Sequence, residues 1–422
     1  MTDVPGRSAG QGSCEVLVVG GGPTGLFLAS LLAGRGLDVV VLEKRRVPSR
    51  HSRAIGLHPP ALGALRVLGL DREAVAGGVP LRSGAALSRG RHLGQVRFAA
   101  RRTPNRFVLS LPQSRTEEML SRRLSALSPT ALRRGWQVTE VLETAGGVEV
   151  TARRTAEQDG AAPHGSSPLL RWRARLLVVA DGARSGTRAS LGIAMRGRVL
   201  PDTYLMGDFA EETPSTGARA AGRRPREARI HLEADGVVES FPMPDARRRW
   251  VVHTGPTGAG PPSSAHRLAD LLQRRLGEAP DPDTATMISA FTVAQRFAAR
   301  LCTRRCVVIG DAAHEISPIG GQGMTLGWLD ALDIAPLVRG AIATDQAPDL
   351  SRDADWGRIE RRIMRRARTA GAIAGLNTAL GRPVGRRLSL MRAAALRLVL
   401  GTRLRILLAW VYSMGWVGAA RR

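Results

Sequence analysis

The chain has 422 residues, with 62 Lys and Arg against 36 Asp and Glu for a formal charge of +26. Hydrophobic residues make up 43% and charged residues 23%, which excludes a disordered or fibrous chain and leaves room for two or three domains' worth of core. Three cysteines, Cys14, Cys302 and Cys306, are too few for a disulfide framework and lack the second ligand pair of a zinc site, so no metal is expected and a reducing cytoplasm is the expected compartment.

The basic excess is arginine, since Lys44 is the only lysine. Arginine is spread along the chain and aromatics are 4%, whereas a nucleic-acid interface concentrates charge with aromatics, so no nucleic-acid partner is expected. An attraction to anionic membrane surfaces or acidic partners remains physically reasonable. Residues 1–13 are polar and glycine-rich with no apolar stretch behind their charges, and read as a flexible tail, not a signal peptide.

Cys14–Gly20 is a short apolar, β-branched run, Leu26–Gly36 has helical length and an apolar face, and Leu37–Glu43 is a second buried run. Strand, helix and strand within about thirty residues make a βαβ unit of a parallel sheet. Gly20-Gly21-Gly22-Pro23-Thr24-Gly25 joins the first strand to the helix as a G-x-G-x-x-G. Gly20 allows the tight turn, Gly22 lets backbone approach a pyrophosphate, and Gly25 lets helix and strand pack closely. Glu43 ends the second strand, where a carboxylate accepts hydrogen bonds from an adenosine ribose. A structural glycine turn is the bland alternative.

Leu176–Asp181 and Cys306–Asp311 are further apolar runs ending in an acid, each followed by a Gly- or Ala-rich turn, and read as interior strands whose C-terminal ends face a ligand crevice. The stretch Thr155–Pro168 reads as a solvated hairpin tip. Between about 195 and 285 the texture changes to shorter β-like stretches, Arg229–Leu232, Gly236–Phe241 and Arg249–His253, separated by Pro, Gly, Ser and Arg loops. The expected fold is α/β: a discontinuous Rossmann-like domain (14–80, 105–194 and 286–345), an inserted, mostly antiparallel sheet domain (81–104 and 195–285), and a C-terminal helical region (346–422). Ile406–Ala420 is apolar but too short to span a bilayer comfortably. The arginines on either side of it, Arg392, Arg397, Arg403 and Arg405 before and Arg421 and Arg422 after, leave two readings open: a helix docked on the core, or one lying at the inner face of a membrane.

Asp181-Gly182-Ala183-Arg184-Ser185-Gly186-Thr187-Arg188 follows one apolar strand, and Gly310-Asp311-Ala312-Ala313-His314 follows another, leading to Pro318 and to Gly320-Gly321-Gln322-Gly323-Met324 at a helix start. With the glycine fingerprint, these motifs resemble, in order, those of the single-component flavin-dependent aromatic hydroxylases of the para-hydroxybenzoate hydroxylase type, over residues 14 to about 340. The resemblance implies an FAD monooxygenase reduced transiently by NADH or NADPH, in which O2 forms a flavin C4a-hydroperoxide that hydroxylates a hydrophobic aromatic, phenolic or polyketide-like substrate.

It also implies roles. Asp181 and Gly182 serve structure and nicotinamide passage, Gly310 and Asp311 hold the ribityl chain, and the N–H groups of Gly321, Gln322, Gly323 and Met324 face the pyrimidine edge of the flavin. Pro318 lies beside the reactive face of the ring. Arg53 resembles an arginine over the cofactor phosphates or ribose, Lys44 lies beside the ribose, and Gln113 with Glu118 resembles a Q…E…L helix start near the flavin. Tyr204, His231 and His253 fall on strands that would roof the substrate, and no base is assigned. Thr325 stands where the family usually has Asn, so that side-chain contact is not carried over. Arg45 and Arg46 read as a solvated pair in preference to a 2′-phosphate site. A flavin halogenase would need a W-x-W-x-I-P segment, which is missing. An FAD-dependent reductase of an isoprenoid or other lipid, and a non-catalytic escort of a lipid or protein, are the alternatives.

Overall fold

The computed structural model describes residues 8–49, 54–98, 105–155, 168–211, 226–256, 263–344 and 349–417. Four parallel strands, Ser8–Val19, Val39–Glu43, Leu169–Val179 and Cys306–Val308, form the centre of a seven-stranded sheet. Val16, Leu17 and Val18 are fully buried, which is why these strands read as unbroken apolar runs. Helix Pro23–Ala33 packs between helices Gln113–Leu127 and Gly323–Ala343, with Phe27 stacked on Trp328 at 5.3 Å between ring centroids.

The first strand begins at Ser8, six residues ahead of the expected Cys14. Part of the supposed tail is therefore strand: Gln11–Ser13 pair with Arg171–Arg173. Backbone pairing with a long neighbour supplies their order, which a polar side-chain pattern does not announce. Strands Val148–Arg154 and Leu169–Val179 are antiparallel partners, and residues 156–167 of the expected hairpin tip lie outside the described residues.

The second sheet has eight strands in the order 314–315, 287–298, 195–210, 247–256, 236–243, 228–233, 83–88, 91–97. Strand Met287–Ala298, expected in the nucleotide domain, belongs here instead, because it pairs antiparallel along Met195–Ala210 from Ala298 opposite Met195 to Met287 opposite Asp208. Its far end pairs with His314–Glu315, the edge strand formed by the chain soon after it leaves Cys306–Val308 of the first sheet. One face of this sheet meets helix Ala265–Leu276 through Leu205, Phe209, Val238 and Val252. The other face, with Tyr204, Met206, Val237 and Val251, receives Ile319 from the loop ahead of helix Gly323–Ala343.

The C-terminal region is helical: Ala354–Gly381, Arg386–Gly401 and Leu404–Tyr412. Leu400 and Ala409 bury against Leu93, Val96 and Phe98, so the segment docks on the second sheet, while its outer face leaves Met391, Leu398 and Ile406 exposed. Residues 418–422, with Arg421 and Arg422, lie outside the described residues. No described helix is long and apolar enough to cross a membrane.

A buried ionic group fixes the exit of strand Cys306–Val308 to the helical layer. Asp330 Oδ2 accepts the Gly310 N–H at 3.1 Å and lies 2.5 Å from His314 Nε2, while Arg366 donates to Oδ1 at 2.9 Å. Burial opposes charge on both partners, yet His314 and Arg366 hold the Asp330 carboxyl below its usual range, and Asp330 holds the His314 imidazole above its own. Asp330→Asn should therefore cost about 3–5 kcal/mol in urea unfolding, as for other broken buried pairs. The Asp330 contribution is present above roughly pH 4 and that of His314 is complete below roughly pH 6.5. The difference between wild type and variant should peak between those limits and shrink, without vanishing, as pH rises past the raised imidazole value, because Arg366 still faces Asp330.

Candidate active site

The four central strands are parallel, so their C-terminal ends share one edge of the sheet and deliver the three motifs to one cleft. Gly20 donates its N–H to Leu42 O at 2.8 Å, Ala180 to Val19 O at 2.8 Å, and Ile309 to Val179 O at 3.0 Å. Gly20 sits at φ +107°, and a Cβ there would lie 2.4 Å from Ala180 O; at Gly25 it would lie 1.9 Å from Gly20 O. Only glycine fits at either position. A Cβ on Gly22 would meet nothing within 4 Å, so that backbone faces open space at the start of the helix.

Pro23 is at the first turn of that helix, and its carbonyl accepts from Trp328 Nε1 at 3.0 Å. Thr24 packs against the Gly310 backbone: a Cβ on Gly310 would lie 2.9 Å from Thr24 Oγ1. Glu43, buried at the strand end, accepts from Gly21 N at 2.6 Å and from Arg45 Nε at 2.8 Å. Burial works against its charge, but Arg45 and these hydrogen bonds hold its carboxyl below the usual range. Lys44 is exposed beside it. Arg53 lies outside the described residues.

Arg45 is not a solvated cation. It reaches the buried Glu117 at 3.6 Å as well as Glu43, so it is spent inside the fold. Gln113, first in its helix, donates to Glu117 Oε1 at 2.9 Å. The acid coupled to Gln113 is thus Glu117, one residue ahead of the expected Glu118, which is exposed and sits 3.7 Å from Arg122. Glu117 was foreseeable from helical spacing, since i and i+4 share a face.

The second and third motifs touch. Ser185 caps the short helix Gly186–Ser190 by accepting from Arg188 N at 2.9 Å, and buried Arg188 donates to Ala312 O at 3.1 Å. Asp181 Oδ2 accepts from Thr187 N at 3.3 Å, while its Oδ1 is buried with no hydrogen-bond partner. A Cβ on Gly182 would meet nothing within 4 Å. Asp311 is solvent-accessible although protein surrounds it; that enclosure pushes its carboxyl up, partly offset by His314.

From His314 the chain turns through exposed Pro318 into Gly320 and Gly321, held by Gly321 N to Pro318 O at 2.9 Å and by His58 Nε2 at 2.9 Å from Gly320 O. Burial lowers the His58 imidazole below its ordinary value, so the ring is neutral at pH 7. Gln322, the N-cap of helix Gly323–Ala343, is buried with both amide atoms unpaired, and so is Thr325 Oγ1. Gly323 and Met324 form the first turn, whose N–H groups have no helical carbonyl to pair with. Open backbone at Gly22 and Gly182, together with unpaired polar atoms on Asp181, Gln322 and Thr325, fits a dinucleotide lying across the cleft with its ring at the helix start.

The facing sheet brings two of its three expected residues toward this loop. Tyr204 is fully buried, stacks on Phe291 at 5.4 Å and meets His253 edge-on at 5.1 Å. His253 Nε2 lies 3.2 Å from Asp202, which also takes two hydrogen bonds from Arg382. Burial lowers the His253 imidazole despite that pairing. His231 is a correction. Ile230 and Leu232 face the loop, so the alternation of the strand turns His231 to the opposite face, opposite Val238.

A family profile described as "FAD binding domain" matches residues 13–347. A 6-methylpretetramide 4-monooxygenase of Streptomyces rimosus is 34% identical over 90% of this chain, which spans 66% of that relative, slightly under two thirds of its length. A para-nitrophenol 4-monooxygenase of Pseudomonas sp. (strain WBC-3) is 30% identical over 76% of both chains. Among solved structures, a p-nitrophenol 4-monooxygenase from Pseudomonas putida DLL-E4 superposes with a TM-score of 0.80 over 98% of this chain and 100% of that one, at 22% identity. An anhydrotetracycline hydroxylase from Streptomyces rimosus gives 0.73 over 95% of this chain and 76% of its own, at 26% identity. With the three motifs converging on one cleft, these matches place the chain in the FAD-binding family of flavin-dependent aromatic monooxygenases.

Proposed function

We propose that the protein is an FAD-dependent monooxygenase that uses NADH or NADPH and O2 to hydroxylate a hydrophobic aromatic substrate, phenolic or polyketide-like. The observation that carries this reading is the loop Pro318–Gly321: its Ile319 packs into the apolar sheet face with Tyr204 and Val251, while the residues after it begin the helix at the cofactor cleft. Relatives whose names state aromatic or tetracycline-type substrates support the substrate class.

Bound FAD supplies the redox and oxygen-activating chemistry. The chain's own part is holding and shielding. The first-turn N–H groups of helix Gly323–Ala343 present positive potential to a ring edge that gains negative charge on reduction. Glu43 orders the turn at Gly21 and is positioned for the ribose; Asp311 is positioned for the ribityl hydroxyls. Tyr204, Phe291 and Phe241 form an apolar roof that excludes water.

Purified protein should be yellow and release FAD on denaturation. Gly22→Val tests the cradle directly: Gly22 has φ −81° and ψ −178°, which valine adopts, and open space at its Cβ, so the variant should fold as the wild type does. It should retain flavin at least about tenfold less well, since a side chain there occupies the approach to the phosphates. Full flavin retention would remove the cradle from the binding site.

The site of action is the finer part of this reading. Of the thirteen exposed large hydrophobic side chains among the described residues, eight lie between Leu388 and Trp410. Leu388, Met391 and Leu398 line one helical stripe, and Arg386, Arg387, Arg397, Arg403 and Arg405 around them make no ion pair among the described residues. No Asp or Glu follows Glu360 in the sequence. Apolar side chains ringed by uncompensated arginine match an anionic lipid surface and repel a second copy of the same face. The protein should co-sediment with vesicles containing phosphatidylglycerol and not with pure phosphatidylcholine, less so in high salt. Met391→Asp with Leu398→Asp should abolish it; binding unchanged by the double substitution would refute a membrane role for this face.

A further inference from the structure

Seven carboxylates are buried among the described residues: Glu43, Glu117, Asp202, Asp208, Glu233, Glu239 and Asp330. Six have donors. Glu43 has Gly21 and Arg45, Glu117 has Gln113, Asp202 has Arg382, Asp208 has Arg249, Glu233 has the Arg89 N–H, and Asp330 has Gly310, His314 and Arg366. Glu239 alone makes no hydrogen bond or ion pair among the described residues.

Its place is defined by the strand. On Gly236–Met243, Val237, Glu239 and Phe241 share a face, and Glu239 stands opposite Ile230 on one neighbour and Val251 on the other. Val237, Ile230, Phe241 and Val251 all belong to the apolar cluster that receives Ile319 from the loop Pro318–Gly321. Glu239 therefore lies on the roof of the proposed substrate space, among apolar neighbours. The ionisable groups on that side are Tyr204, with His253, Asp202 and Arg382 beside it, and Tyr412 from the C-terminal helix. Tyr412 already donates to Asn377 Oδ1 at 2.7 Å. The loop Pro318–Gly321 and the strands Val79–Leu81 and Val108–Ser110 bring no titratable side chain.

A buried carboxyl without a donor weakens a fold and serves no packing purpose. Burial alone pushes this one up to about 7, from an ordinary 4.5. It is thus poised to exchange a proton near neutral pH.

We propose that Glu239 is the group that receives the substrate's phenolic O–H: the ring lies between this sheet face and the loop Pro318–Gly321, and its hydroxyl donates to the Glu239 carboxylate. In the proton transfer the substrate O–H bond breaks and a carboxyl O–H bond forms. The electron pair stays on the phenolate oxygen, making the ring a better nucleophile toward an electrophilic oxygen atom; the proton returns to solvent when product leaves. This inference rests on the aromatic monooxygenase reading and adds the base that reading lacked.

The test uses flavin-loaded protein with resorcinol, which remains neutral in water at pH 8, and NADH or NADPH. In wild type, resorcinol-dependent turnover should fall about tenfold per unit below pH 7, as Glu239 gains its proton. Glu239→Gln should bind FAD normally, bind resorcinol roughly tenfold or more weakly, and lose the acid limb, with turnover at pH 8 down about a hundredfold. Glu239→Asp should restore part of it. A thermal readout stands apart from activity. A carboxyl whose folded pKa is raised costs stability as pH rises from its unfolded value through the folded one, so Glu239→Gln should melt above wild type at pH 8, with the gap closing as pH falls to about 4. Undiminished turnover with an unaltered acid limb in Glu239→Gln would overturn the inference alone. A wild type that holds flavin and responds to no phenol would overturn the monooxygenase reading and the inference with it.

Discussion

Asp330 has no reach to any ligand, yet the cofactor-facing loop depends on it. Its carboxylate is fully buried and meets three donors from two parts of the chain: the Gly310 backbone and the His314 ring of one loop, and the Arg366 guanidinium of a later helix. A charge in that position is tolerable only if all three arrive together. The requirement fixes the exit of the strand Cys306–Val308, and with it Asp311, against helix Gly323–Ala343 and against helix Ala354–Gly381, whose Arg366 lies 36 residues beyond Asp330. Arg366 also reaches Asp333 at 3.0 Å, so the helical layer is pinned in two places.

The two sheets are coupled where the chain leaving strand Cys306–Val308 of the first becomes His314–Glu315, the edge strand of the second. Met287–Ala298 pairs along most of Met195–Ala210, and at its far end Arg296 and Phe297 pair with Glu315 and His314. His314 is thus a strand residue of the roof and an ion partner of the floor. Movement of the roof relative to the cofactor cleft has to bend this strand or break the Arg296–Glu315 pair, whose closest contact is 2.6 Å. That coupling suits a reaction in which water must be kept from the ring while substrate enters.

What the sequence disclosed follows from how local each constraint is. The turn Gly20–Gly25 was readable because backbone clashes at Gly20 and Gly25 act over a few residues, and Glu43 because the strand before it is short and apolar. The membership of Met287–Ala298 was not, since which sheet a strand joins depends on partners ninety residues away. The strand at Gln11–Ser13 was hidden by polar side chains whose backbone alone is paired. His231 was misplaced for a related reason: alternation says that His231 and its two neighbours face opposite sides, but only the packing of Ile319 shows which side is the cleft. Arg45 was read as solvated because an arginine-rich composition makes any single arginine look incidental.

That composition conceals two populations of arginine. Arg45, Arg188, Arg249, Arg366 and Arg382 are internal donors, each meeting a carboxylate or carbonyl that burial would otherwise leave unpaired. Guanidinium suits the task because its fork satisfies two or three acceptors at once and stays charged when desolvated. Arg386, Arg387, Arg397, Arg403 and Arg405 at the last two helices make no ion pair among the described residues, and acid is missing from the chain beyond Glu360. The net charge of +26 is therefore not a uniform surface field. Every acid lies at or before Glu360, so beyond it the arginines have no acid in their own segment to offset them, and apolar side chains are exposed there as well. Against this background of consistent internal pairing, an unpaired carboxyl at Glu239 is an exception at the one place where an incoming hydroxyl can complete it.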